Sequence, residues 1–83
     1  MSDAAAREKS LHLVVTFPNT ISAITMEKIC RAQELPGKLI PVPRAISASC
    51  GMAWMAPTEA REALESATTA KQLPVEGWYY VMI

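Results

Sequence analysis

One cysteine of this chain lies among small side chains and is followed directly by a glycine. It falls within residues 41–51, and residues 47–51 include no large side chain. Because little neighbouring bulk would bury it, Cys50 is expected to be an exposed thiol, and Gly51 permits backbone torsions that other residues avoid. A thiolate is the reactive form of cysteine. A free cysteine is also commonly a small buried hydrophobe, so both interpretations remain open.

Three polar side chains of the same loop could support a thiolate at Cys50. Arg44 would stabilise the negative sulfur or steer an anionic donor, and Ser47 and Ser49 could donate hydrogen bonds to the sulfur. Each has a simpler interpretation as well. Arg44 could be a solvated surface charge, and serine hydroxyls in loops commonly bond to nearby backbone.

The second cysteine and the single histidine do not extend this site. Cys30 falls about ten residues inside a predicted helix, or about 15 Å from the helix start. A disulfide needs Cα atoms within about 7 Å, so Cys30 is expected in the core and not in a bridge with Cys50. Together with His12, two distant cysteines do not supply the clustered ligands of a zinc or iron site. We therefore predict no metal.

Enzymatic turnover also lacks support in the sequence. His12 falls in a predicted strand, and no carboxylate lies near Cys50 along the chain. A nucleophile without a base favours a carrier or accessory protein over a turnover enzyme, and no cofactor is expected.

Four strands and two helices follow from residue periodicity and from turn residues. Residues 11–17 alternate as a strand, and residues 38–43 form a strand whose two prolines confine it to a sheet edge. Residues 51–56 and 75–83 read as further strands. A first helix is predicted from Asn19 or Thr20 to about residue 35. A second is predicted from Thr58 to the residues before Pro74.

The order β-α-β-β-α-β predicts an α+β protein with the ferredoxin-like split βαββαβ fold. Its antiparallel sheet would have strand order 4-1-3-2, with both helices on one face. This topology brings the loop of Cys50 to the end of the sheet where the first helix begins. Cys50 is then expected near Asn19 and Thr20, where unpaired amides and the helix dipole favour a negative charge.

Chain length and charge restrict the possible partners. The 83 residues suit a single domain at residues 11–83, preceded by a flexible tail at residues 1–10. Eight Lys and Arg balance eight Asp and Glu, so no overall field would recruit nucleic acid or an anionic membrane. No export signal and no apolar run of about 18 residues is apparent. We expect a cytoplasmic protein with reduced thiols and neither of those partners.

A different function class is suggested by the large side chains of the strands. If residues 11, 13, 15 and 17 face the helices, strand alternation could place five large side chains on the open face of the sheet. These are Met52, Trp54, Trp78, Tyr80 and Met82. Such a patch usually marks a protein interface, which would suit a homodimer or docking onto a larger subunit. A register shift that buries some of these residues would remove the patch.

The residues of the loop and its flanks resemble a known family, the selenium/sulfur carrier protein-like family. The most specific part is the run Pro-Arg-x-x-Ser-x-x-Cys-Gly at residues 43–51. It is preceded by Val-Val-Thr-Phe at residues 14–17 and Leu-Ile-Pro-Val at residues 39–42, and followed by Glu-Gly-Trp-Tyr at residues 76–79. The resemblance covers residues 11–83. Trp54-Met55 departs from the smaller or charged pair expected there and suggests a specialised partner surface.

The resemblance implies a small carrier whose motif cysteine is Cys50, with Arg44 and Gly51 as the flanking anchors. Cys50 would hold sulfur or selenium as a persulfide or selenosulfide and deliver it to a partner protein. Such a carrier needs a protein donor and a protein acceptor. It needs no cofactor apart from the atom that it carries.

Overall fold

The computed structural model describes residues 9–83, which form a four-stranded antiparallel sheet with two helices. The strands are β1 (Leu11–Thr16), β2 (Lys38–Pro41), β3 (Met52–Pro57) and β4 (Gly77–Met82). The helices are α1 (Thr20–Gln33) and α2 (Arg61–Ala70), and a 3-10 turn (Thr58–Ala60) precedes α2. The strand order is β2-β3-β1-β4, and every neighbouring pair is antiparallel. The predicted α+β fold of ferredoxin-like type and its 4-1-3-2 strand order are confirmed.

The hydrophobic core lies between the sheet and both helices. Its largest members are Leu13, Val15, Phe17, Met26, Trp54 and Leu64. They come from β1 and the residue after it, from β3, and from both helices, so α1 and α2 cover the same face of the sheet. Burying a side chain of this size stabilises a fold by about 1.5–3 kcal/mol, and this core therefore holds the layers together.

The two helices begin differently. Asn19 caps α1 as predicted, because its Oδ1 accepts a hydrogen bond from the Ser22 amide at 2.8 Å. Thr58 does not cap the second helix as predicted. Its hydroxyl donates to Glu59 Oε1 at 3.3 Å, and the backbone first makes a 3-10 turn before α2 starts at Arg61. The proline at residue 57 ends β3 directly before that turn.

The strand register places the predicted interface residues on the helix side of the sheet, not on its open face. Val15 lies opposite both Trp54 and Trp78. Tyr80 and Met82 lie opposite residues 13 and 11, and Met52 shares the face of Trp54 two positions away. Directly opposite residues share a face. Alternation alone could not predict which face these side chains occupy, since a shift of one residue exchanges the two faces of a strand. Their role as an interface stays a prediction.

The open face carries a different set of mostly apolar side chains. They are His12, Val14, Thr16, Ile40, Ala53, Met55, Tyr79 and Val81. Val14, Thr16 and Ala53 at its centre have no exposed surface. The ring of Tyr79 lies over Gly77, where a Cβ would come within 2.7 Å of it. The centre of this face is therefore closed to solvent, and half-buried or exposed side chains lie around it.

Backbone pairing between β1 and β4 continues one residue beyond each strand. Ser10 and Ile83 exchange two backbone hydrogen bonds of 3.2 and 3.0 Å. The rest of the predicted flexible tail, residues 1–8, lies outside the described residues and stays a prediction. Within residues 9–83, no helix is both long enough and apolar enough to cross a membrane.

Candidate functional site

The loop between β2 and β3 brings Cys50 to the first residue of α1. Cys50 Sγ lies 3.7 Å from Thr20 Oγ1 and accepts a hydrogen bond from the Met52 amide at 3.4 Å. The proximity to Thr20 agrees with the expectation from topology. Asn19 uses its side chain to cap the helix. The sulfur therefore lies at the positive end of the helix dipole, with a backbone donor and a hydroxyl beside it.

Cys50 is buried, contrary to the expectation of an exposed thiol. Only 5% of its surface is accessible, and it belongs to the hydrophobic core cluster. The small residues beside it in sequence leave room for the loop to pack inward, and residues distant in sequence then cover the thiol. A reagent or partner that is to reach the sulfur must approach through this cover.

Glu76 is a site residue that the sequence interpretation did not single out. Its carboxylate accepts two hydrogen bonds from Ser49, from the amide to Oε1 at 2.9 Å and from the hydroxyl to Oε2 at 2.6 Å. The hydroxyl and amide of Ser49 hold the pKa of the Glu76 carboxyl below its ordinary value. Ser49 therefore does not donate to the sulfur, since its single hydroxyl proton is directed to Glu76.

The position of Glu76 follows from the sheet topology. It directly precedes β4, and its amide donates to the Thr16 carbonyl at 2.7 Å at the end of β1. That end of the sheet is where the β2–β3 loop lies. No carboxylate was expected near Cys50, because only neighbours along the chain could be compared. The run Glu-Gly-Trp-Tyr at residues 76–79 was the one available signal.

The remaining predicted loop residues lie at the surface or have room around them. Arg44 and Ser47 are exposed, and neither side chain makes a hydrogen bond or ion pair within residues 9–83. Gly51 does not adopt a left-handed backbone, and no heavy atom lies within 4 Å of the position of an added Cβ. Glycine at this position is thus not required by the backbone. It leaves the space next to Cys50 open.

The two tryptophans have structural contacts of their own. Trp54 is 3% exposed, and its Nε1 donates to the Pro36 carbonyl at 3.2 Å, which joins β3 to the end of α1. The Arg61 guanidinium lies 5.4 Å from the Trp78 ring centre and 5.5 Å from that of Tyr80, and donates to the Tyr80 hydroxyl at 3.2 Å. These contacts fasten α2 to β4.

Cys30 lies apart from the loop, in the core. Both cysteines are free, and burial raises the pKa of the Cys30 thiol to about 11. Within residues 9–83, no three side chains of His, Cys, Asp or Glu cluster in a way that could hold a metal ion. Of the two thiols, Cys50 is the one with polar groups beside its sulfur.

Comparison with known proteins gives one match. Residues 12–80 match the family described as "Putative Se/S carrier protein-like". The matched range includes both helices, the loop with Cys50, and Glu76. Among curated proteins and among solved structures, no match is found. Because the match spans most of the 83 residues, the chain belongs to the Se/S carrier protein-like family.

Proposed function

We propose that this protein carries a sulfur or selenium atom on Cys50 and delivers it to a partner protein. The observation that supports this most directly is the position of Cys50 Sγ at the start of α1. There the Met52 amide donates to the sulfur, and the Thr20 hydroxyl lies within 3.7 Å of it. Hydrogen-bond donors and a helix N-terminus are groups that stabilise an anionic sulfur when it attacks or leaves during transfer. The helix end typically stabilises an anion by about 0.3–1 kcal/mol.

The transfer moves a neutral sulfur atom between thiols. The Cys50 thiolate attacks the outer sulfur of a donor persulfide, and a new sulfur–sulfur bond forms as the donor's own bond breaks. The donor leaves as a thiolate and takes up a proton, and Cys50 becomes a persulfide. Attack by an acceptor thiolate reverses these events, so no external oxidant or reductant is needed. A selenium atom would follow the same course.

A protein donor and a protein acceptor are the partners that this chemistry requires. Arg44 is exposed on the loop that carries Cys50 and would attract an anionic donor. Apart from the carried atom, no cofactor takes part in the proposed transfer.

The test is sulfur loading followed by intact-mass measurement. After incubation with a cysteine desulfurase and cysteine, the wild type should gain the mass of sulfur, and a reductant should remove it. Cys50→Ser should gain none, whereas Cys30→Ala, which removes the other thiol, should load like the wild type. Sulfur on Cys50→Ser, or an unloaded wild type with an active desulfurase, would refute the proposal.

A second candidate is an accessory protein that docks through its sheet. It is favoured by the open face, where half-buried apolar residues such as Ile40, Met55 and Val81 surround the buried centre while both helices pack on the other side. This candidate predicts that Cys50→Ser leaves the docking intact. The carrier predicts that the same variant loses all transfer.

A further inference from the structure

Apart from the contact of Cys50 Sγ with Thr20, the loop that carries Cys50 is tied to another element by the side-chain contact between Ser49 and Glu76. Its base is closed by the Val42 amide, which donates to the Gly51 carbonyl at 3.0 Å. A turn within it joins the Ile46 amide to the Pro43 carbonyl, also at 3.0 Å. Among the residues that the structure describes, residues 43–49 bond to another element only where Ser49 meets Glu76. That contact therefore helps to hold the loop in place beside Cys50.

The two sides of this contact are not equally fixed. Glu76 is anchored, because its amide donates to the Thr16 carbonyl at 2.7 Å at the edge of the sheet pairing. Ser49 belongs to a loop without regular secondary structure and directly precedes Cys50. If the contact opens, the loop moves and Glu76 stays in place. Any displacement of Ser49 is passed to Cys50 through one peptide bond.

We propose that Ser49 and Glu76 form a latch that holds Cys50 closed against α1, and that a donor protein reaches the sulfur only when the latch opens. The proposal rests on the proposed carrier function for the identity of the partner. In the closed state Cys50 is 5% exposed, so a persulfide on another protein cannot align with its sulfur. Opening the latch frees the loop and uncovers the thiol.

The bonds of the latch suit reversible opening. Both are made to an ionised carboxylate, and the hydroxyl bond is short at 2.6 Å, as is typical of charge-assisted hydrogen bonds. Both also lie at an exposed position, where water can replace each partner as the bond breaks. A docking protein could replace the latch by an intermolecular contact, if it offers a hydrogen-bond donor to Glu76 or a hydrogen-bond acceptor to Ser49.

The test compares the alkylation rates of the two cysteines by iodoacetamide at constant pH, with each site followed by peptide mass mapping. Glu76→Ala removes both latch bonds and Ser49→Ala removes one. In Glu76→Ala, Cys50 should therefore react several-fold faster than in the wild type. In Ser49→Ala, its rate should lie between those two. Ser49→Thr keeps the amide and a hydroxyl and should restore the slow rate. Cys30, buried in the core, should react equally slowly in all four proteins.

Cys30 separates local opening of the loop from general loss of structure. If both cysteines accelerate in proportion, the variants have destabilised the whole fold and the latch is refuted. An unchanged Cys50 rate in Glu76→Ala also refutes it. Alkylation needs no sulfur donor, so a wild type that fails to load sulfur would count against the carrier function alone. A protein that loads but shows unchanged alkylation would count against the latch alone.

Discussion

Cys30 and Cys50 are both buried thiols, but their surroundings differ. Cys30 lies within the hydrophobic core, and its burial favours the neutral thiol. Cys50 has the Met52 amide and the Thr20 hydroxyl beside its sulfur. Burial alone therefore does not distinguish a structural from a functional cysteine in this chain. The two thiols differ in the polar contacts of their sulfur atoms, and the proposed carrier role of Cys50 rests on that difference.

The raised pKa of Cys30 predicts a loss of stability at high pH. The pKa of this thiol is 9.0 in the unfolded chain and about 11 in the folded protein. Its contribution to the free energy of unfolding is therefore complete below pH 9 and is lost as pH rises to about 11. A shift of this size corresponds to about 2–3 kcal/mol. Urea unfolding across this range should show the stability difference between wild type and Cys30→Ala shrinking as pH rises. A difference that does not vary with pH would contradict the prediction.

The Ser49–Glu76 contact is expected to be lost at acid pH, whereas the contribution of Cys30 is lost at alkaline pH. Because the pKa of Glu76 is lowered in the folded protein, the contact is fully formed above the ordinary value of 4.5 and is lost as pH falls through the lower folded value. The amide resonance of Ser49 in a nitrogen–proton NMR spectrum should titrate with a midpoint below 4.5. Glu76→Gln should abolish that titration. A midpoint at or above 4.5 in the wild type would contradict the assignment.

Among the loops and strands, two glycines with different roles allow a matched test. Gly37 has φ of 129°, and an added Cβ would lie 2.3 Å from Trp54 Nε1 and 2.6 Å from the Met55 carbonyl oxygen. Gly37→Ala should therefore lower the free energy of unfolding by about 1–3 kcal/mol or more. Gly51→Ala meets no atom and should leave stability within about 0.5 kcal/mol. Equal unfolding midpoints for both variants in urea would refute this distinction.

The strands and helices could be predicted because their signals are local. Alternation in residues 11–17 and the Asn19 cap depend on neighbours along the chain, and the βαββαβ order then restricts the topology. Side-chain direction in β3 and β4 could not be predicted in the same way. It depends on which residue of one strand lies opposite Val15, and a shift of one residue puts Trp54 on the opposite face.

The candidate site was predictable only where topology determines it. The meeting of Cys50 and Thr20 follows from the loop and the helix start sharing one end of the sheet. The bonds from Ser49 to Glu76 join residues 27 positions apart and depend on the reach and rotamers of two side chains. The burial of Cys50 likewise depends on packing across the loop. Such contacts appear only when the backbone path is known in three dimensions.

At the scale of the whole molecule, the sheet has one face covered by helices and one that carries mostly apolar side chains. If two copies associate through the open face, Met55→Glu should place charges in the interface and abolish the association. Ile21→Glu is the matched control, because Ile21 is 77% exposed on α1, away from that face. Sedimentation equilibrium should show a dimer for the wild type and the control, and a monomer for Met55→Glu. Monomers in all three samples would exclude a homodimer at this face.

The 3.7 Å separation between Cys50 Sγ and Thr20 Oγ1 has a consequence for how a partner could tell a loaded carrier from an empty one. If Cys50 carries sulfur as proposed, the added atom extends about 2 Å beyond Sγ, so it cannot point toward Thr20 without displacing that residue or the loop. Such a displacement would change the outer surface around the start of α1. An acceptor that reads this surface would bind full carriers and release spent ones.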